Sequence, residues 1–247
     1  EFVMYYYKYI IKKMEIKEVK NPDLQIEPVK MKNDALIKGV KAPLPNFYSF
    51  FIILCSMPGG GKSTMIYNLL CRPKFGAYYK RFERIYWWSR SIHTITKTIN
   101  LPEDQIFTTF NEADIEAVLE KEKQEDNHVL FVWDDVLSDI KDVTLIQRIV
   151  WNRRHLCGKG LSLIVSIQIW SKLVLCLRKC ADAIFFWSTH NKREITSFFN
   201  DVITIEKNKF DEIIKYVFTD RHNFLYLDVQ NQKFYKNFNL LEFSSPL

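Results

Sequence analysis

Apolar residues occur along this chain in short continuous runs of strand length, and between them lie stretches in which apolar positions recur with helical spacing. Continuous apolar runs are typical of parallel strands that are covered on both faces. The strand candidates are Phe50–Cys55, Arg84–Trp88, Val129–Trp133, Leu161–Ile167 and Ala183–Trp187. The helical patterns are Ser63–Cys71, Glu112–Lys123, Val143–Trp151 and Ile195–Val202. Strands that alternate with helices predict an α/β fold with a mainly parallel sheet and right-handed crossovers.

The two ends of the chain differ from this alternating middle. Residues 1–45 mix charged and apolar positions and contain four prolines, which favours an arm that leads into a domain of residues 46–247. Near the other end, Asp211–Phe218 has a helical pattern. Beyond it, Phe224–Val229 and Lys233–Phe238 flank a short polar turn and are predicted to form a β-hairpin.

Composition narrows the class of protein only a little. A chain of 247 residues with 47% apolar content can bury a full core in one large domain. The formal net charge of +6 suits a polyanionic partner but does not establish one. No apolar run approaches the roughly 20 residues of a membrane span, so no membrane association is expected.

A phosphate-binding loop is predicted between the first strand and the first helix. Residues 56–63 read Ser-Met-Pro-Gly-Gly-Gly-Lys-Ser, and their backbone amides, with the positive end of the following helix, suit the phosphates of a nucleotide. The usual phosphate-loop pattern has a glycine at the position of Ser56. Serine fits there if its φ angle is not positive. The predicted nucleotide contacts are Ser56, Met57, Pro58, Gly59, Gly60, Gly61, Lys62, Ser63 and Thr64.

Individual roles follow from the chemistry of these side chains. Lys62 is expected to reach the phosphate oxygens, and Ser63 is expected to ligate Mg²⁺. Asp134 and Asp135 end a buried apolar strand, where adjacent charges are costly without a cation or hydrogen-bond donors. Asp134 is therefore predicted to hold Mg²⁺ through water, and Asp135 to activate the attacking water. A solvated turn after the strand is the alternative interpretation.

Further catalytic candidates come from the next strand and the helix before it. Gln168 follows the run Leu161–Ile167 at the strand end where open α/β sheets bind ligands, and its amide suits the γ-phosphate or the attacking water. Arg153 and Arg154 are candidates for an arginine finger that reaches a neighbouring subunit. Contacts with DNA phosphates, or a helix-end charge pair, are the alternatives for these two arginines. Lys192 and Arg193 are further candidates for phosphate contacts.

These motifs, taken together over about residues 48–240, resemble the poxvirus-type genome-packaging ATPases of large DNA viruses, virophages and polinton-like elements. That family belongs to the FtsK–HerA superfamily of P-loop ATPases. The resemblance rests on the phosphate loop, on the strand that ends in Asp134 and Asp135, on Arg153-Arg154-His155, and on the strand before Gln168. Two features depart from the family pattern: Ser56 replaces a glycine, and residues 157–160 lengthen the link that follows the arginines.

The resemblance implies more than the residues show by themselves. It implies a three-layer P-loop domain over residues 46–247, with a central sheet in the order 5-1-4-3-2 and a closing hairpin. It also implies ATP and Mg²⁺ as cofactors, translocation of double-stranded DNA, a homo-oligomeric ring, and a capsid or portal-like partner. The expected location is the host cytoplasm or a viral factory, with association with the virion as a further expectation.

Two other functions stay open at the level of sequence. A P-loop kinase or NTPase that acts on a soluble substrate is one, although no arginine-rich lid segment is evident. A nucleotide-gated interaction module is the other. The presence of Asp135 and Gln168 argues against a pure switch, which needs less catalytic machinery.

Overall fold

The strands of the described chain form one continuous sheet. The computed structural model describes residues 35–95, 99–137 and 143–243. Within these ranges the strands are β1 Phe51–Cys55, β2 Arg84–Ser89, β3 Ile106–Phe107, β4 Val129–Asp134, β5 Leu161–Ile167, β6 Ala183–Trp187, β7 Phe224–Asp228, β8 Lys233–Lys236 and β9 Asn239–Leu240. The sheet has the order β3-β2-β4-β5-β1-β6-β7-β8-β9.

The first six strands are parallel, and the last three extend the sheet in antiparallel fashion. When the five predicted strands are numbered along the chain, their observed order is 5-1-4-3-2, as the family resemblance implies. The C-terminal hairpin is also confirmed, as β7 and β8. The mainly parallel P-loop sheet with a closing hairpin is therefore the fold of this protein.

Helices cover both faces of the sheet. Their bounds are α1 Lys62–Cys71, α2 Glu112–Lys123, α3 Thr144–Asn152, α4 Leu175–Arg178, α5 Lys192–Val202 and α6 Lys207–Val217. Successive residues of a strand point to opposite faces, so Ile53 and Ile52 belong to two different apolar clusters. One cluster contains residues of α2, α3, α5 and α6, and the other contains residues of α1. This division produces the three layers.

The chain enters the domain earlier than the predicted boundary at residue 46. Ile37 and Val40 are buried in the same apolar cluster as Ile52, and residues 36 and 47 form an isolated antiparallel bridge. Segment 35–47 thus packs on the sheet instead of standing apart from it. The rest of the predicted arm, residues 1–34, lies outside the described residues, and its role as an arm stays a prediction.

Two tryptophans lie inside the sheet. Trp87 and Trp88 belong to β2 and have no exposed surface, so both are core residues. No helix among the described residues is long and apolar enough to cross a membrane.

Candidate nucleotide-binding site

The predicted phosphate loop connects the carboxyl end of β1 to the first turn of α1. Two of its glycines adopt positive φ angles, 74° at Gly59 and 112° at Gly61, which residues with a side chain rarely adopt. Gly61 is the residue that precedes α1, so Lys62 begins the helix. The Lys62 side chain is buried, and its Nζ donates a hydrogen bond of 2.8 Å to the carbonyl oxygen of Ser56. The ammonium group therefore lies across the loop that is expected to hold phosphates.

Ser56 fits the loop because its backbone does not need the conformation that glycine provides. Among the described residues, Ser56 is not one of those with positive φ. Its hydroxyl donates a hydrogen bond of 2.9 Å to the carbonyl oxygen of Met57, and the residue is 4% exposed. The side chain occupies the space beside Gly60, where an added Cβ would lie 1.7 Å from Ser56 Oγ. Ser56 therefore occupies space that is available only because residue 60 is a glycine.

Asp134 ends β4 between β2 and β5, and its side chain is buried. Ser166 Oγ donates a hydrogen bond of 2.6 Å to Asp134 Oδ1. The second oxygen, Oδ2, is buried without a hydrogen-bond partner among the described residues. A buried carboxylate oxygen without a donor is costly, and a cation with its water shell satisfies it. The donor set therefore fits the predicted Mg²⁺, which Asp134 would hold through water and Ser63 would bind directly.

Magnesium in such a site relies on few protein ligands and on the phosphates of the nucleotide. The described residues contain no cluster of three or more histidine, cysteine or acidic side chains that could hold a metal ion. The ion, when bound, supplies positive charge that neutralises the charge developing on the phosphates. The protein's own contribution would come from Ser63, which lines the cavity of the phosphate loop, and from Asp134 at the end of β4.

Asp135 leaves the strand in an unusual conformation. Its φ angle is 83°, which costs of order 1 kcal/mol or more for a residue with a side chain. Its carboxylate accepts a hydrogen bond of 2.5 Å from Gln168 Nε2, although the two residues are 33 positions apart in the chain. Asp135 also lines the cavity of the phosphate loop. The structure therefore places Asp135, the predicted general base, in contact with both the cavity of the loop and Gln168.

The cavity above the loop has a volume of about 650 Å³. Its lining includes the predicted residues Pro58 to Thr64 and Asp135. Several other residues that line it were not predicted from the sequence: Met65, Asn68, Ser91, Trp187, His222 and Phe224. Trp187 was recognisable in principle, because it ends a parallel strand at the same edge as Gln168. His222 and Phe224 gave no such signal, since they come from the antiparallel part of the sheet.

Arg153 and Arg154 lie at the opposite edge of the sheet, just before β5 begins. Arg153 donates hydrogen bonds to the carbonyl oxygens of Ser49 at 2.7 Å and Val150 at 2.8 Å. It also pairs with Asp182, with 3.1 Å between Nη2 and Oδ2. These contacts agree with the alternative to an arginine finger, in which Arg153 is a paired charge at the end of α3. A finger role for Arg153 requires them to break, and for both arginines that role stays a prediction.

Asp182 anchors this opposite edge. It is 9% exposed and accepts a hydrogen bond of 2.7 Å from the backbone N–H of Phe51 and one of 3.0 Å from Gln230 Nε2. Burial raises the pKa of Asp182, and the guanidinium of Arg153 opposes that shift. The arrangement links the start of β1 to the start of β6. We conclude that it supports the sheet and takes no part in the nucleotide site.

Lys192 and Arg193 lie in the first turn of α5 and are exposed. Asn191 precedes this helix, and its side chain accepts a hydrogen bond of 3.0 Å from the backbone N–H of Arg193. The next residue, Glu194, is buried and accepts a hydrogen bond of 2.6 Å from the hydroxyl of Ser171, in the segment that follows Gln168. The exposed pair remains available for contacts with phosphates, which stay a prediction.

A phosphate loop, an acidic strand end and a neighbouring strand-end glutamine, all at one edge of a 5-1-4-3-2 sheet, define the P-loop NTPase class. No protein-family model matches the chain, and no curated protein matches it in sequence. Solved structures do match. The genome packaging NTPase B204 from Sulfolobus turreted icosahedral virus 2, in complex with sulfate, has a TM-score of 0.57 at 18% identity, over 78% of this chain and 98% of that one.

Two further structures support the same fold. B204 in complex with ATP-gammaS has a TM-score of 0.57, also at 18% identity, with the same coverage of 78% and 98%. The cytoplasmic domain of the Thermomonospora curvata type VII secretion ATPase EccC has a TM-score of 0.51 at 11% identity, over 82% of this chain and 25% of that one. The chain thus shares the fold of these ATPases, which agrees with the predicted resemblance at the level of fold.

Proposed function

We propose that this protein is a Mg²⁺-dependent ATPase that drives double-stranded viral DNA into a preformed capsid. The observation that carries the proposal is the meeting of Lys62, Asp134, Asp135 and Gln168 at the carboxyl edge of the sheet. Phosphate binding alone needs only the loop. A carboxylate with an unsatisfied buried oxygen, next to a second carboxylate held by a glutamine, is an arrangement for cleaving the phosphate chain.

Each residue has a separate task in this proposal. Lys62 and the loop amides bind the phosphates, while Ser63 and Asp134 position Mg²⁺. Asp135 accepts a proton from the attacking water, and Gln168 fixes the direction of its carboxylate through their hydrogen bond. The strained backbone of Asp135 supports this role, because strain persists where the surrounding structure holds a residue for function.

The proposal also names double-stranded DNA as the substrate and a ring as the assembly. The structural neighbour B204 is a viral genome packaging NTPase, and the match with it covers 78% of this chain. The net charge of +6 and the exposed Lys192 and Arg193 are compatible with DNA phosphates. We propose a homo-oligomeric ring at a capsid or portal-like protein, in the host cytoplasm or a viral factory.

The first test is steady-state ATP hydrolysis by the purified chain across a titration of long duplex DNA, at low and at moderate salt. The motor proposal predicts a saturating stimulation by DNA that weakens with salt, since each phosphate contact releases counterions. Lys62→Ala should abolish hydrolysis. Lys74→Ala removes an equal charge from an exposed position after α1, and it should behave as wild type.

The other outcomes separate the alternatives. Hydrolysis that DNA does not change contradicts the motor and favours a soluble substrate. Tight ATP binding with no turnover, with or without DNA, favours a nucleotide-gated interaction module instead. Wild-type hydrolysis in Lys62→Ala would contradict the role assigned to Lys62.

A further inference from the structure

The loop of residues 219–223, between α6 and β7, reaches the phosphate loop of the same chain. Its location follows from strand direction. β7 is antiparallel to β6, so the beginning of β7 lies at the edge where the parallel strands end. Trp187, the last residue of β6, pairs with Phe224, the first residue of β7, and their rings lie 5.1 Å apart. The segment just before Phe224 is thereby delivered to the nucleotide cavity.

Arg221 of this loop lies directly against the phosphate loop. A Cβ built on Gly59 would lie 3.0 Å from Arg221 Nη2. The neighbouring residue His222 lines the cavity itself. Within the described ranges, Arg221 makes no ion pair, and the nearby Asp220 accepts its hydrogen bond from the backbone N–H of His222, at 2.9 Å. The guanidinium of Arg221 thus lies beside the predicted phosphate loop, and its N–H donors have no acceptor among the described residues.

The loop is held in place by the hairpin behind it. Asn237, which follows β8, accepts a hydrogen bond of 3.1 Å from the backbone N–H of Phe224 and donates one of 3.1 Å to the side chain of Asn223. Lys236 donates hydrogen bonds of 3.0 Å to Tyr216 at the end of α6 and to Thr219. Both ends of the loop are therefore tied to β8. An ordered loop presents a side chain with less loss of entropy than a free one.

We propose that Arg221 binds the phosphate chain of the nucleotide held by its own subunit, so that the C-terminal hairpin supports part of the ATP site. Guanidinium and phosphate form paired, charge-assisted hydrogen bonds, and the bond geometry of arginine suits two phosphate oxygens at once. The inference rests on the proposed nucleotide site but not on hydrolysis, DNA or ring formation. It assigns a binding role to a segment that contains no recognisable nucleotide motif.

The test is the affinity for Mg²⁺ and the non-hydrolysable analogue AMPPCP, measured by calorimetry on protein dilute enough to be monomeric by light scattering. Arg221→Gln should weaken AMPPCP binding by about 10- to 100-fold, the usual effect of losing hydrogen bonds to a charged group. Arg221→Lys should recover part of the affinity. AMP, which lacks the outer phosphates, should bind Arg221→Gln and wild type alike.

Lys215→Gln is the matched control, because it removes one positive charge from the exposed surface of α6, and Lys215 does not line the cavity. Wild-type affinity of Arg221→Gln for AMPPCP would overturn the proposal, including the case in which the variant loses only DNA affinity. An equal loss for AMP and AMPPCP would also overturn it, since the contact would then not be with the outer phosphates. An effect confined to concentrated, assembled protein would assign Arg221 to a neighbouring subunit and refute the proposed role within one chain.

Failure of the proposed function gives a different pattern. A wild-type chain that binds no AMPPCP at all would refute the nucleotide site as a whole. Binding that Lys62→Ala abolishes and Arg221→Gln leaves unchanged would refute only the inference about Arg221.

Discussion

Gly60→Ala is expected to destabilise the phosphate loop because of the serine at position 56. Gly60 is not among the glycines with positive φ, so alanine meets no conformational penalty there, and the cost is steric. The new Cβ would lie 1.7 Å from Ser56 Oγ, 3.0 Å from Ser56 Cβ and 3.2 Å from the carbonyl oxygen of Met57. Rotating the hydroxyl away would break its 2.9 Å hydrogen bond to Met57 and leave the contact with Ser56 Cβ. Overpacking of this kind costs about 1–3 kcal/mol.

Ser56→Gly removes both serine atoms from this space, so of the three nearest contacts only the one of 3.2 Å with the carbonyl oxygen of Met57 remains. The Gly60→Ala substitution should therefore cost less in the Ser56→Gly background than in wild type. The expected difference, a coupling energy, is about 1–2 kcal/mol for side chains in direct contact. Urea unfolding of the four proteins in the cycle measures it, and AMPPCP affinity shows whether the loop keeps its function.

Gly61→Ala provides the control for this cycle. Its penalty comes from the φ angle of 112°, and its Cβ would meet only Trp187 Nε1, at 3.9 Å. That penalty should be the same with serine or glycine at position 56. An equal cost of Gly60→Ala in both backgrounds would refute the steric argument, and so would a Gly60→Ala protein as stable as wild type.

Two further predictions concern the two edges of the sheet. Asp135→Asn should keep AMPPCP affinity, because asparagine tolerates positive φ, but should lower kcat about 10²- to 10⁴-fold, as expected for loss of a general base; a wild-type kcat would contradict the assigned role. At the other edge, the raised pKa of Asp182 means that the folded protein binds a proton at this carboxyl group more tightly than the unfolded chain does. The shift therefore stabilises the folded protein fully at a pH below 3.8, the ordinary pKa of an aspartate. This stabilisation is lost as pH rises through the higher pKa that Asp182 has in the folded protein. The unfolding free energy of wild type relative to Asp182→Asn should therefore fall over that range, whereas a difference that does not vary with pH would contradict the shift.

The core of the fold could be predicted from sequence because its strands are covered on both faces. Val129–Asp134 and Leu161–Ile167 are buried at every position, and this gives the continuous apolar runs from which they were predicted. The two-residue strands β3 and β9 were missed, since two residues carry no periodicity. The helix α4, with only four residues, was missed for the same reason.

The candidate site was predictable only where a local pattern marks it. The phosphate loop, Asp135 and Gln168 each follow a recognisable apolar strand, so their edge of the sheet could be inferred. The contact between Ser56 and Gly60 was not predictable, because the pattern records which residues occur and not how their atoms fill the loop. The position of Arg221 depends on the pairing of β7 with β6, which brings together segments that are about 40 residues apart in sequence.

Strand direction, more than residue type, separates the polar residues for which we propose a function from those that support the sheet. Asp135 and Asp182 are both aspartates beside apolar strands, but Asp135 follows a parallel strand and Asp182 precedes one. The first therefore lies with the phosphate loop and the second at the far edge, where Arg153 neutralises it. Arg221 also precedes a strand, yet β7 is antiparallel, so the same rule places it at the phosphate edge. The predicted finger candidates Arg153 and Arg154 lie at the far edge, whereas the pairing of β7 with β6 places a further guanidinium, that of Arg221, beside the loop.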